Sequence, residues 1–315
     1  VVGRIPVIAY PVPAVSCSDP ALQNKARELA NHLGLSVESS DESPDESPDG
    51  MRLPGESSAE TDRLLLRVSR NGLELVKPDD PKLNGAVRAD FIAGHAAYRR
   101  KQQKKELLVR AVEGKGGKGG KGGKGGASLN IIDATGGLGR DSFLLAAAGH
   151  RVRIFEREPI IAALLADGLE RAAVHPETAA ICARIRLIIG DAVPALEAAD
   201  IRKIGAGEAG EDCEDCGEGE GVDAVYLDPM FPERRKSALV KKELQLLQLL
   251  ARPDSAPERL LTAALEAARQ RVVVKRPLKA PCLTALSPSH SLSGKTVRFD
   301  VYPGCLLNRN RGNSG

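Results

Sequence analysis

The sequence predicts an α/β fold, a parallel, doubly wound sheet preceded by a small N-terminal α+β subdomain. Three observations carry that prediction. From Leu129 onward, short β-branched or apolar runs alternate with helical stretches, the order a parallel sheet requires. A glycine-rich turn, Gly136-Gly137-Leu138-Gly139, separates the first of these runs from the first helix. Well before that point, Asn71-Gly72 lies between the apolar runs Leu64–Val68 and Leu73–Val76, a hairpin signal that belongs to a different sheet.

In chain order, residues 1–88 hold short apolar runs broken by turn residues and form the predicted α+β subdomain. Asp90 to Val112 mixes apolar and basic residues and reads as one or two helices, with Arg99 and Arg100 among its cations. Asn130–Asp133 is the first strand of the main sheet and Asp141–Ala148 its first helix, closed by Gly149. Val152–Phe155 is a second strand, and Pro159–Ala173 a helix opened by proline at its first turn, where the missing N–H costs nothing. Ile185–Ile189, Ala224–Leu227 and Val272–Val274 read as strands covered on both faces. Thr296–Tyr302 alternates apolar with polar and is expected at the sheet edge. The main domain therefore spans 89–315, with flexible insertions at 114–126 (a Gly-Gly-Lys repeat) and 205–221 (a Gly/Glu tract). The acidic stretch 39–50 is a third solvated loop.

Composition sets the outer limits. The chain has 315 residues, 42% of them hydrophobic, enough for one large α/β domain with an appendage. The net charge of +3 does not by itself call for nucleic acid, so the local distribution of charge decides. Six cysteines without a scaffold rhythm suggest a reducing, cytoplasmic setting. No apolar run approaches the ~20 residues of a membrane span, and Val1–Val15 lacks the layout of a signal peptide. Cys213 and Cys216 form a lone C-x-x-C with no second pair, so a zinc site is rejected, and no metal-ligating set is expected elsewhere.

Four motifs carry chemistry. The turn Asp133-Ala-Thr-Gly136-Gly137-Leu-Gly139-Arg140-Asp141 lets backbone approach a ligand at a helix N-terminus. Ser142 stands where the third glycine of a dinucleotide fingerprint belongs, so the pattern instead looks like the first motif of Rossmann-like methyltransferases. Glu156, followed by Arg157, ends the next strand about 20 positions on, where an acid accepts ribose hydroxyls. Asp191-Ala192 follows the third strand; Asp191 either reaches an adenine amino group or caps the next helix. Tyr226-Leu-Asp228-Pro229-Met230-Phe231-Pro232 resembles the Asp/Asn-Pro-Pro-aromatic motif of enzymes that methylate base amines. Such an amine is a poor nucleophile because its lone pair is delocalised into the ring. Asp228 and a carbonyl near Pro229 can accept its N–H bonds, and Phe231 can stack on the base. Lys236, Lys241 and Lys242 follow, and Lys275-Arg276 ends the next strand on the same sheet edge; all suit phosphate contacts, as do Arg99 and Arg100.

These motifs together resemble one family more closely. Leu227-Asp228-Pro229-Met230-Phe231-Pro232, Lys236-Ser-Ala-Leu-Val-Lys241-Lys242, Asp133-Ala-Thr135 with Gly137-Leu-Gly139-Arg140-Asp141, and Arg271-Val-Val-Val-Lys275-Arg276-Pro277 are similar to the RsmJ family of bacterial 16S ribosomal RNA guanine-N2 methyltransferases. The resemblance covers about residues 90 to 302. It implies a Rossmann-like sheet, S-adenosylmethionine as methyl donor with S-adenosylhomocysteine as product, and 16S ribosomal RNA or the small ribosomal subunit as partner. By motif position it places cofactor contacts on Arg140, Asp141, Glu156, Arg157, Asp191, Ala192 and Asp228. Family members carry small hydroxyl residues where Asp191 and Ala192 stand, a departure that singles out this contact. Two rivals stay open: an adenine-N6 methyltransferase, and a non-catalytic RNA-binding assembly factor.

Overall fold

The computed structural model describes residues 14–38, 63–80, 82–83, 85–114, 128–198, 221–229, 242–250 and 256–304. These fall into two compact units, the smaller drawn from the chain up to residue 89 together with 163–168 and 233–252.

In the smaller unit, β1 (Ala14–Ser16), β2 (Leu65–Ser69) and β3 (Gly72–Val76) form one sheet in that order, with β1 parallel to β2 and β2 antiparallel to β3. Ser69 pairs with Gly72, so Arg70 and Asn71 make the two-residue turn of the hairpin. Helix α1 (Gln23–Leu33) buries Ala26, Ala30 and Leu33, spaced by four and three residues on one face. It stops at Gly34, whose left-handed φ of 67° lets its N–H close on Ala30 and Asn31 carbonyls.

The larger unit begins with α2 (Gly94–Lys101) and α3 (Leu107–Glu113), separated by a single 3-10 turn. Then β4 (Asn130–Asp133), α4 (Arg140–Ala147), β5 (Arg151–Glu156), α5 (Pro159–Ala173), α6 (Ala179–Cys182), β6 (Ile185–Ile189), α7 (Ala192–Glu197) and β7 (Ala224–Leu227) alternate. The middle of α5 (163–168) and helix α8 (Lys242–Leu250) belong to the smaller unit, and the larger one resumes with α9 (Pro257–Ala267), β8 (Arg271–Pro277), β9 (His290–Ser293) and β10 (Val297–Pro303). The seven strands are ordered β6-β5-β4-β7-β8-β10-β9. Neighbours are parallel from β6 to β8, and β10 runs antiparallel to both β8 and β9.

That order is Rossmann-like, and it fixes where a ligand binds. The chain moves outward from β4 through β5 to β6, then returns to set β7 on the other side of β4. Successive connections therefore diverge at β4 and β7 and leave a crevice beyond their C-terminal ends. Below it, Ile132, Val225, Leu227, Val272 and Val274 pack against Leu260, Leu261 and Ala264 of α9. Each fully buried large side chain there contributes about 1.5–3 kcal/mol.

One strand sits differently from its sequence reading. Thr296–Tyr302 was expected at the edge, yet β10 lies inside the sheet and β9 forms the edge. The charged residues behind the alternation satisfy one another: Asp300 is fully buried and accepts from Arg298 Nε at 2.8 Å and Ser291 Oγ at 2.6 Å. A paired charge can occupy an interior strand that an unpaired one cannot.

Candidate active site

The turn after β4 is shaped by glycines at two positions. A Cβ on Gly136 would lie 2.5 Å from Ile154 Cγ2 and 3.0 Å from the Phe155 carbonyl, so only glycine lets the turn approach β5. Gly137 has a φ of +53°, and a Cβ there would meet nothing closer than Thr135 O at 4.0 Å. Its face of the turn is open. Gly139 is also left-handed, with φ 70°, and caps α4. The turn thus presents bare backbone and a helix N-terminus to the crevice.

Glu156 ends β5 and is buried. Its Oε2 accepts from Gly137 N–H at 2.6 Å and its Oε1 from Glu158 N–H at 2.8 Å. Burial pushes its carboxyl up, against the pull of those two N–H groups. Each oxygen keeps lone-pair capacity beyond its bond, as a pair of ribose hydroxyls would need. Asp191 is exposed at the start of α7 and caps it through Val193 N–H at 2.9 Å. Ala192 beside it is buried. The open face over Gly137 and the adjacent Glu156 carboxylate suit an adenosyl cofactor: a cradle lies on one side and a hydroxyl acceptor on the other.

The first and fourth motifs interlock. Asp133 is buried and accepts from Thr135 N–H at 3.0 Å, Thr135 Oγ1 at 3.3 Å and the Ser142 hydroxyl. Burial raises its pKa to about 7 despite those bonds. The Thr135 hydroxyl in turn accepts the Asp228 N–H at 2.6 Å, which fastens the end of β7 to the glycine turn. Asp228 leads out of β7, with 40% of its side-chain surface open, and Pro229 follows it, buried.

Around Asp228 lies a charged cluster. Lys275 Nζ, on β8, stands 2.7 Å from Asp228 Oδ2 and 2.8 Å from Asp141 Oδ2. Asp141, in the first turn of α4, also accepts from Arg99 Nη1 and the Tyr226 hydroxyl, both at 2.8 Å. Burial alone would raise the Asp141 carboxyl, but Lys275 and Arg99 overcome it and hold it well below the usual range. Burial opposes the Lys275 ammonium too, and the two carboxylates reverse that, raising its pKa. Asp228 keeps a net upward shift, with burial and Asp141 outweighing the pull of Lys275.

The structure therefore gathers Gly137, Gly139, Asp141, Glu156, Asp228, Pro229 and Lys275 around one crevice. Arg140 and Arg157 are exposed at the starts of α4 and of the loop after β5. The cations read as RNA contacts divide. Arg99 and Lys275 are ion-paired within the cluster, and Arg100 pairs with Glu177. Arg276 is buried, with its Nε donating to Pro281 O at 3.0 Å. Phe231, Lys236 and Lys241 lie outside the described residues, as do Cys213 and Cys216; Lys242 begins α8. Among the described residues no group of acids, histidines and cysteines could hold a metal. Sequence reading gave no role to Thr135, Ser142 or Tyr226. A hydroxyl inside each motif was the available signal, since a buried hydroxyl requires a partner.

Comparison with known proteins points to methyltransferases. Residues 52–304 match the family model described as "Putative SAM-dependent methyltransferase". A ribosomal RNA small subunit methyltransferase J from Pseudomonas paraeruginosa is 42% identical over 82% of this chain and 88% of its own length. That from Pseudomonas fluorescens is 41% identical over 92% and 94%. The chain belongs to the ribosomal RNA small subunit methyltransferase J family. A solved SAM-dependent methyltransferase from Neisseria gonorrhoeae superposes on it with a TM-score of 0.62, at 28% identity over 94% of this chain and 98% of that one. As in other enzymes of this methyltransferase J family, the cofactor is S-adenosylmethionine.

Proposed function

We propose that the chain methylates the exocyclic N2 amine of a guanine in 16S ribosomal RNA. The observation that carries the reading is the half-open Asp228 carboxylate, on a backbone whose N–H Thr135 fastens beside the glycine turn. When bound, S-adenosylmethionine supplies a methyl group activated by its positively charged sulfur, and leaves as S-adenosylhomocysteine. The chain's own residues do the rest. Gly137 and Gly139 line the cofactor's path and Glu156 accepts its ribose hydroxyls, with Arg140, Arg157, Asp191 and Ala192 along its rim. Asp228 accepts one N–H of the amine and a carbonyl beside Pro229 accepts the other, which aims the nitrogen lone pair. As the nitrogen gains positive charge, the Asp228 carboxylate stabilises it and takes up the released proton. Phe231 stacks on the extruded base.

The partner is 16S ribosomal RNA or the small ribosomal subunit, and the setting is cytoplasmic. Names of the relatives support the first, and no helix among the described residues is long and apolar enough to cross a membrane. Phosphate contacts fall to Lys236, Lys241 and Lys242, because Arg99, Arg100 and Lys275 already face carboxylates. Within the chain, residues 89–315 act as the methyltransferase domain and 1–88 as its accessory subdomain.

Incubation with radiolabelled cofactor and either 16S RNA or small subunits, followed by nuclease digestion, tests this. N2-methylguanosine is the expected product. N6-methyladenosine would move the enzyme to another base. Label appearing in free small molecules and never in RNA would overturn the assignment.

A further inference from the structure

An exposed carboxylate on a short side chain samples several rotamers, and a group that must aim an amine cannot. Asp228 has 40% of its side-chain surface open, and among the described residues one side chain bonds its carboxylate: Lys275, on Oδ2. Oδ1 is left to face a substrate. Lys275 is itself held at a second point by Asp141, which sits only 13% exposed between Arg99 Nη1 on Oδ1 and the Tyr226 hydroxyl on Oδ2. Three strands and two helices thus converge on one ammonium: α2 through Arg99, α4 through Asp141, β7 through Tyr226 and Asp228, β8 through Lys275, and β4 through Asp133 and its Thr135 link.

We propose that Lys275 is a positioning residue for methyl transfer, its ammonium anchored on Asp141 so as to fix the Asp228 carboxylate in the orientation that receives the amine. This rests on Asp228 being the amine's acceptor. A lysine at a basic sheet edge is ordinarily read as a phosphate contact, but an ammonium has three donors and two of these already meet carboxylates. Turning Lys275 toward RNA would strip Asp228 of its cation and leave Asp141 with Arg99 alone in a partly dry site, a costly exchange. The same ammonium keeps Asp228 ionised. Facing Asp228 are Lys275 and Arg276 from β8, Asp141 from α4, Asp133 from β4 and Tyr226 from β7. Without Lys275, burial and Asp141 push the Asp228 carboxyl up against the weaker pull of Arg276. Asp228 would then stay protonated to higher pH and lose its acceptor role there.

The test uses the full chain as wild type, Lys275→Met, Lys275→Arg and Asp228→Asn. Single-turnover methyl transfer to small-subunit RNA is followed against pH, with cofactor and RNA affinities measured separately. Lys275→Met should transfer methyl about 10²-fold more slowly at neutral pH, the scale set by misplacing a reacting group, with both affinities held within about twofold. Its acid limb should move to higher pH, so the deficit shrinks as pH rises, and Lys275→Arg should return the limb toward wild type. The carbon-13 shift of the Asp228 carboxyl, assigned against Asp228→Asn, should titrate at higher pH in Lys275→Met. That readout needs no RNA, so it decides the coupling even if RNA proves not to be the substrate.

Three results would overturn the proposal. One is an unchanged Asp228 titration. Another is Lys275→Met with weakened RNA binding, a shallower salt dependence and normal transfer at saturation, the mark of a phosphate contact. The third is an equal loss at every pH accompanied by a lower melting temperature, the mark of a merely structural tie; should Lys275→Met fail to fold, a folded Lys275→Gln with an unshifted limb and a normal rate would overturn it equally. An Asp228→Asn enzyme as fast as wild type would instead sink the reading of Asp228, whatever Lys275 does.

Discussion

Two ion-paired regions of the larger unit use the same chemistry to different ends. On the outer helices, Arg259 of α9 grips Glu197 of α7 with two bonds of 2.8 and 2.7 Å, and both side chains stand in water. At the sheet's C-terminal edge, Lys275 and Arg99 each meet Asp141 at 2.8 Å, nearly the same distance, but in a recess. Distance therefore does not separate them; solvent does. Water screens the first pair almost completely, whereas the second pays for its dehydration and returns little net stability. What the recess gains is fixed geometry and strongly displaced protonation equilibria, which are of use only where a reacting group must be held. Buried charge at the crevice is thus a sign of function in a way that surface charge is not.

The contrast breaks most visibly at Asp228. Replacing it with Asn keeps shape but removes the charge that stabilises the alkylating nitrogen, and methyl transfer should fall by about 10²–10³-fold. Cofactor affinity, measured by calorimetry, should fall no more than about tenfold, the worth of one hydrogen bond. Loss of affinity equal to the loss of rate would make Asp228 a binding residue only. Asp141→Asn comes next. Its amide would turn an N–H toward a cation and leave Lys275 or Arg99 without a counter-charge, so unfolding in urea should cost about 3 kcal/mol less. Because the Asp141 carboxyl is held well below its usual range, that contribution is present above the ordinary carboxylate pKa and lost only in strong acid. The difference between the two proteins should therefore narrow as the pH is lowered. A mutant equally stable at neutral pH would show that the recess is wetter than its burial suggests.

How much of this was legible in the sequence follows from what each level of structure depends on. Strand-helix alternation is local, so the main sheet could be read to within a few residues, and Pro159 and Gly149 marked their helix ends. The place of Asp228, the acid proposed to receive the amine, was also legible, because Asp-Pro after an apolar run places a carboxylate at a sheet edge. Two things were not. Strand order is a long-range outcome, and the alternating Thr296–Tyr302 gave no hint that Arg298 would neutralise Asp300 inside the sheet and Ser291 donate to it. Nor could spacing tell a cation that faces solvent from one that faces a carboxylate 134 residues away in the chain, as Lys275 faces Asp141. Charge type is written in the sequence, and its partner is written only in the fold.

A milder effect is expected at Asp133, the buried acid that links the glycine turn to β7. Its pKa of about 7 exceeds the ordinary carboxylate value, so the folded state holds a proton that the unfolded chain releases. Stability from this group is then fully present below the unfolded pKa, falls as pH rises from about 4, and is lost once pH passes about 7. Asp133→Asn mimics the protonated form and can still accept from Thr135 while donating to Ser142. Its stability relative to wild type should therefore improve by on the order of 1–2 kcal/mol between pH 5 and pH 8, read from urea midpoints at each pH. A pH-independent difference would place the proton elsewhere in the cluster.

The smallest effect belongs to the pair that looks best on distance alone. Arg259 holds the Glu197 carboxyl below its usual value by direct hydrogen bonding, and any stabilisation from it would vanish as the pH falls through that lowered value. Both groups are fully solvated in either state, however, so folding changes their surroundings little. Arg259→Ala should leave the melting temperature unmoved within error at low and at high salt, with methyl transfer at the wild-type rate. A salt-sensitive drop in melting temperature would mean that α7 and α9 are tied by this pair as well as by Leu196, Leu260 and Leu261 beneath it. Solvent would then not be what separates the two regions, and the case for reading function from the buried cluster would have to rest on its geometry alone.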